Sequence, residues 1–437
     1  MKKTIVLAIV LIALVFCSAA LSLTSHPPLP PETPSATPAP AQSIAQGAQL
    51  AALGNCMACH TAKGGKPFAG GLALTTPFGI IFSTNITPDP ETGIGHWSLE
   101  AFTRAMRKGV SRDGHLLYPV FPYTRFQYMN DADIAFVYAY LMRRDPVQAV
   151  TPPNKLMFPL QFRPLIAGWN MLYLRPANKA DEADAANAAH GVDWQRGRYL
   201  VNGVAHCAAC HTPLNKLGAE RRGLAFAGGF IEGWDAPALT KLLHAPTPWT
   251  QQQLVQYLRT GLADQHGAAA GPMLPVTNSL ADASEADVNA IATYLMSLQE
   301  AAPVVLDRAA ATPAPSVAQT LAGHPELQSG ATLYAAACAS CHSASAPMST
   351  LGGRPSLAQS TALNADQPRN TIRIILDGIQ WEGSNSAHYM PAFSDMLTDA
   401  QIADIANYTR ATASKRPPWP ALDAAAVAKI RKESPTP

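Results

Sequence analysis

Cysteine and histidine recur in this chain at one fixed spacing: Cys56-Met57-Ala58-Cys59-His60, Cys207-Ala208-Ala209-Cys210-His211 and Cys338-Ala339-Ser340-Cys341-His342. Two thiols three residues apart on one helical turn can form thioether bonds to the two vinyl groups of a haem. The histidine that follows then stands under the iron as its proximal ligand. A single Cys-x-x-Cys is also compatible with a redox dithiol or half of a zinc site. Three copies, each ending in His and together using six of the seven cysteines, point to three covalently bound haem c groups. Cys56, Cys59, Cys207, Cys210, Cys338 and Cys341 are the attachment residues, and His60, His211 and His342 the proximal ligands.

An iron that only passes electrons has both axial positions filled, and Met opposite His raises its reduction potential. The third repeat offers Met390 in Met390-Pro391-Ala392-Phe393, and the second offers Met273 in Gly271-Pro272-Met273-Leu274. In the first repeat Tyr118-Pro119-Val120-Phe121-Pro122-Tyr123 occupies the corresponding loop and puts Phe121 in the methionine place. Met129 is the best remaining donor there, with Met106, another side chain or an open iron as the alternatives. His96, His115, His206, His324 and His388 are read as solvent-facing or hydrogen-bonded. No catalytic residue is assigned.

The elements that must position these groups also recur. A helix runs into each motif from Gly47, Gly197 and Gly330, and an amphipathic helix closes each repeat, from Asp131, Glu285 and Asp399. Tyr140, Tyr294 and Tyr408 hold one place in the closing helices and read as core. A middle helix, Trp97 to Gly109 and Trp249 to Gly261, has a shorter version ending at Gly378, each glycine standing where a C-cap is expected. The expected fold is mostly α: three tandem cytochrome c domains at 44–145, 191–300 and 326–415, joined by Pro/Ala-rich linkers. Residues 23–43 and 301–325 are linkers and 416–437 a tail. Residues 146–190 form an apolar strap, interrupted by Pro159 and Pro164, that packs between domains or offers an apolar contact to a membrane surface or partner subunit.

Charged residues make up 14% of the chain and the net charge is +2, which gives no basic field for nucleic acid. Residues 1–22 combine Met1-Lys2-Lys3, an apolar run from Ile5 to Leu21 and the small residues Ser18-Ala19-Ala20. They read as a signal peptide or an N-terminal anchor, so the bulk of the chain is exported. Phe16 before Cys17 disfavours a lipoprotein site. No glycine-rich nucleotide loop, zinc constellation or nucleophile elbow is found.

Several stretches resemble the three-haem cytochrome c subunits of bacterial membrane-bound dehydrogenases. They are Thr84 to Trp97 and Leu117 to Tyr123 in the first domain, Cys210-His-Thr-Pro-Leu-Asn in the second and Met390-Pro-Ala-Phe in the third. The resemblance implies a relay without a catalytic site of its own, on the periplasmic side of the inner membrane. It would pass electrons from a molybdenum, flavin or quinone catalytic subunit to ubiquinone, a terminal oxidase or another respiratory acceptor. The family often has Tyr-Pro-Ala-Met-Pro-Tyr where this chain has Phe121, and the Phe form is more similar to the branch paired with molybdenum aldehyde or N-heterocycle oxidoreductases. The alternatives are a free periplasmic electron carrier and a peroxidase-type haem enzyme.

Overall fold

A computed structural model describes residues 26–32, 39–175, 190–245, 247–300, 316–343, 345–346, 356–380 and 389–433. The expected signal or anchor at 1–22, Cys17, residues 301–315 of the second linker and His388 lie outside them. The chain divides into two units, Met1–His206 and Cys207–Pro437.

In the first unit α1 (Ala41–Leu53) leads into the single helical turn Cys56–Cys59. It is followed by β1 (Ala73–Thr76), β2 (Gly79–Phe82), α2 (Leu99–Lys108), α3 (Asp131–Leu141), β3 (Lys155–Leu156), α4 (Leu165–Tyr173) and α5 (Val192–Asn202). The three strands form one antiparallel sheet in the order β1-β2-β3. The helix ends follow from sequence. Ser98 accepts from the Ala101 N–H at the start of α2, Arg107 and Lys108 stand in its last turn, and Gly109 ends it at φ 62°. Asn130 caps α3, with Asp131 and Asp133 in the first turn.

The close approach of α1 to α3 depends on one residue. A Cβ on Gly47 would lie 2.0 Å from the Phe136 carbonyl oxygen, so only glycine lets these backbones meet. The third repeat solves the same problem in the same way, where a Cβ on Gly330 would lie 2.3 Å from the Asp404 oxygen. In both crossings the neighbour is the recurring tyrosine, Tyr140 or Tyr408. Tyr294 and Tyr408 are buried.

The second unit opens with the turn Ala208–His211 and the hairpin β4 (Gly229–Ile231) and β5 (Trp234–Ala236). Next come α6 (Gln251–Thr260), the pair β6 (Leu262–Ala263) and β7 (Gly267–Ala268), α7 (Met273–Ala281) and α8 (Glu285–Ser297). The third repeat contributes α9 (Gln328–Ala337), the turn Ala339–His342, α10 (Arg369–Asp377), the pair β8 (Ile379–Gln380) and β9 (Tyr389–Met390), α11 (Asp399–Thr409) and α12 (Ala424–Lys432). Thr250 and Gln253 make a reciprocal capping box on α6, and Gly261 ends it at φ 68°. Gly378, the third expected C-cap, has φ 71° but ψ −170°, outside the left-handed helical region. A Cβ there would lie 2.4 Å from the Met390 oxygen, so close approach is a second reason for glycine.

Residues 416–433, a tail on the sequence reading, fold back onto the third repeat. Trp419, Leu422, Val427 and Ile430 join Ile372, Leu376 and Ile402 in one buried cluster. Their apolar spacing is short, but a nearby helix pair is there to receive it.

Within this unit the third repeat grips the second. Asn370 and the Asp235 backbone exchange two hydrogen bonds of 2.8 and 2.9 Å, and Arg369 pairs with both Asp235 and Glu433. The Arg373 guanidinium stands 5.2 Å from the Trp234 ring. Nearby, His266 stacks on Trp249 at 3.6 Å, and its carbonyl accepts from both the N–H and the hydroxyl of Thr361. Among the described residues, no helix is long and apolar enough to cross a membrane.

Burial pushes the His266 imidazole down to about 4 from an ordinary 6.5. Between those values the unfolded chain binds a proton that the folded chain refuses. The contribution of neutral His266 is therefore complete above about pH 6.5 and is lost as pH falls toward about 4. Thermal unfolding across this window is expected to show a midpoint that rises with pH and a shallower rise in His266→Phe; identical profiles would contradict the assignment.

Candidate haem sites

The first motif is built by a loop that closes on its own histidine. Nδ1 of His60 lies 2.7 Å from the Thr84 carbonyl oxygen, and the His60 carbonyl accepts from the Gly70 N–H, also at 2.7 Å. Gly70 has φ 74°, and a Cβ there would sit 2.4 Å from the Thr84 carbonyl carbon. Phe68 is buried at φ 63°, held there by its N–H on the Thr61 hydroxyl at 3.1 Å.

The second motif repeats each contact. His211 Nδ1 lies 2.7 Å from the Pro237 carbonyl, the His211 carbonyl accepts from Gly228, and Phe226 at φ 59° rests its N–H on Thr212. A Cβ on Gly229 would lie 2.2 Å from the Cys210 oxygen. Sequence reasoning missed these loops, although the signal occurs twice, as Phe68-Ala69-Gly70-Gly71 and Phe226-Ala227-Gly228-Gly229, with a threonine after each motif. In the third repeat His342 ends its helical turn half-buried, and residues 347–355 lie outside the described residues.

This geometry fixes a tautomer. A carbonyl can only accept, so Nδ1 of His60 and of His211 carries the proton and Nε2 keeps its lone pair. Burial lowers both pKa values despite the opposing carbonyl, so the rings are neutral, the form that ligates a metal. Burial also pushes the Cys56 thiol up to about 12 and Cys338 up to about 11. These are not the electropositive, activated thiolates of a redox centre. A donor set of two half-buried thiols and an imidazole held by a backbone carbonyl fits thioether-bound haem with His on the iron.

The methionine candidates sit in different surroundings. Met129 is buried in the short segment that joins the turn Tyr123–Phe126 to α3, and its carbonyl accepts from Arg107. Met106 is buried on α2. Phe121, which has no donor atom for iron, packs against Phe126 and Tyr123 with centroids 5.4 and 6.3 Å away. Met273 opens α7, two residues after Gly271, whose missing Cβ admits the Trp234 ring. Met390 ends β9 opposite Ile379.

His115 and His324 pair with Asp113 and Glu326, and His96 is exposed. His206 turns its Nε2 to the Gly54 carbonyl at 3.2 Å and meets the Phe126 ring edge-on.

Comparison with known proteins agrees with this geometry. The cytochrome c family matches residues 44–145 and 194–299, and the family of subunit III of cbb3-type cytochrome c oxidase matches residues 325–408. The chain is 38% identical to the fructose dehydrogenase cytochrome subunit of Gluconobacter japonicus, over 86% of this chain and 81% of that protein. It belongs to the dehydrogenase cytochrome c subunits. It is also 36% identical to the gluconate 2-dehydrogenase cytochrome c subunit of Pantoea cypripedii, over 84% of this chain and 85% of that one. Similarity to a nicotinate dehydrogenase subunit of Pseudomonas putida is higher, 47% over 90% of this chain, but the chain spans only 32% of that protein. The mostly helical fold of tandem cytochrome c domains is thus the family's, and such domains hold haem c covalently.

Proposed function

We propose that this dehydrogenase cytochrome c subunit holds three covalent haem c groups. It would relay electrons from a periplasmic catalytic subunit to ubiquinone or another respiratory acceptor, on the periplasmic side of the inner membrane. Cys56, Cys59, Cys207, Cys210, Cys338 and Cys341 would hold the groups, and His60, His211, His342, Met129, Met273 and Met390 would ligate the irons. Haem c, when bound, supplies one-electron exchange at its iron, and Met opposite His raises the potential. The chain's own residues orient and bury: Thr84 and Pro237 hold two rings, and the glycine loops close over them. The single observation that carries the reading is the 2.7 Å approach of Nδ1 of His60 and of His211 to a backbone carbonyl, which leaves Nε2 of each to ligate, beside each of the first two cysteine pairs.

The catalytic site and its substrate belong to the partner. Likeness to a nicotinate dehydrogenase subunit supports an N-heterocycle or aldehyde as that substrate, in the molybdenum branch that the Phe121 form resembles.

Purification from the native membrane tests this directly. The expected result is a stoichiometric large subunit containing molybdenum. A flavin or quinone subunit would overturn the partner class, and a lone cytochrome would leave a free carrier. Met129→Leu conserves volume and keeps the fold within about 1.5 kcal/mol. It is expected to remove the methionine–iron charge-transfer band of one haem and lower that haem's potential, while Phe121→Leu leaves both unchanged. An unaltered spectrum in Met129→Leu would refute the ligand, and high-spin iron with peroxide turnover in the parent chain would turn the reading to a peroxidase-type enzyme.

A further inference from the structure

Between Pro146 and Arg175 the chain carries Lys155, Arg163 and Arg175 and no carboxylate. Along this stretch Met157, Phe158, Phe162, Leu165, Met171 and Leu172 are all exposed, Phe158 to 89% and Met171 to 67%. Single exposed apolar side chains are ordinary, but a run of large ones on one short segment marks an interaction surface.

The segment is firmly held from beneath. Leu156 pairs with Gly79 in the sheet, and Tyr118 donates its hydroxyl to the Leu160 carbonyl. Arg163 donates to the Leu116 carbonyl at 2.6 Å and lies over the Tyr118 ring. The Tyr123 hydroxyl donates to Asn170 at 2.6 Å, and Ile166 and Ala167 pack on Val110 and Leu116. One side of α4 is thus satisfied by the protein, and Leu165, Met171 and Leu172 face away from it.

Two observations choose a lipid surface as the occupant. The charge is all of one sign, complementary to anionic headgroups, and Trp169 and Tyr173 form a ring pair at 5.1 Å, the residue types that favour a membrane–water boundary. The second concerns the N-terminus. The apolar run Ile5–Leu21 leads into residues 26–29, which are bound to the loop that supports α4. Arg104 donates to the Pro27 carbonyl, Leu29 and Arg112 exchange hydrogen bonds, and the bridged residues Val110 and Leu116 flank Arg112 while packing beneath Ile166 and Ala167. The segment that follows the apolar run in sequence is therefore held by the loop on which α4 packs.

We propose that the strap 157–173 is the face by which this cytochrome lies on an anionic phospholipid bilayer. Phe158, Phe162, Leu165, Met171 and Leu172 enter the interfacial layer, and Lys155 and Arg175 meet the phosphates. The inference rests on the relay reading only in setting the chain beside a membrane.

Hydrogen exchange read by mass spectrometry on the full-length, haem-loaded chain tests it locally, whatever the N-terminal run does. Phosphatidylglycerol vesicles are expected to slow exchange across 157–173, and phosphatidylcholine vesicles to do so less. Phe158→Ser with Leu172→Ser, both at exposed positions, is expected to lose the protection with the haem spectrum unchanged. Equal exchange with and without phosphatidylglycerol overturns the proposal. So does protection that appears only when the co-purified catalytic subunit is added, which would make the strap a protein interface. Vesicle protection involves no electron flow, so a lone cytochrome that is still protected would keep this inference and lose the relay.

Discussion

An imidazole offers a lone pair to a metal only from the nitrogen that carries no proton, and in this chain a backbone carbonyl decides which nitrogen that is. Thr84 and Pro237 each take the Nδ1 proton of a motif histidine at 2.7 Å. The alternative tautomer would leave a ring nitrogen and a carbonyl facing each other as two acceptors, which disfavours it. Ring direction and tautomer are therefore set by these carbonyls before any iron is bound, while burial, acting against them, favours the neutral ring. The attachment chemistry adds covalent strength to an orientation that the polypeptide already holds.

Everything around the two rings serves that hydrogen bond. For Thr84 and Pro237 to reach the histidines, the loops behind the motifs must fold tightly, which requires Gly70 and Gly228 at positive φ and forces Phe68 and Phe226 into a backbone region that bulky residues seldom occupy. The threonine hydroxyls after each motif hold the two phenylalanines in place. The helix that leads into the first motif is fixed in turn by its crossing with the closing helix, where Gly47 removes the one side-chain atom that would keep the backbones apart, as Gly330 does in the third repeat.

Much of this was legible in the sequence, for local reasons. Capping residues and i, i+3/i+4 spacing announced α2, α3, α6, α8 and α11, because helix ends are decided by side chains within a turn of the cap. Gly47 and Gly330 were visible as repeated residues, but their purpose depends on a partner helix that lies far along the chain. Thr84 and Pro237 act through their main-chain carbonyls, and residue type gives almost no signal for a carbonyl's direction. The packing of Trp419 and its neighbours was hidden for a related reason: a short apolar spacing reads as a tail until a core to receive it is known. His266 passed unnoticed because a lone histidine in a polar loop reveals neither its stacking on Trp249 nor its burial.

Relatives at 36–38% identity over most of their own length place the chain among dehydrogenase cytochrome subunits. The number of haems held depends on the three motifs alone. Intact-mass spectrometry of the chain, isolated from a host that assembles c-type cytochromes and denatured before analysis, addresses that number most directly. The expected mass is that of the chain plus three haems, surviving denaturation because each group is bound through two thioethers. A mass increased by fewer than three, or by none, with cysteines recovered as thiols or disulfides, would contradict it.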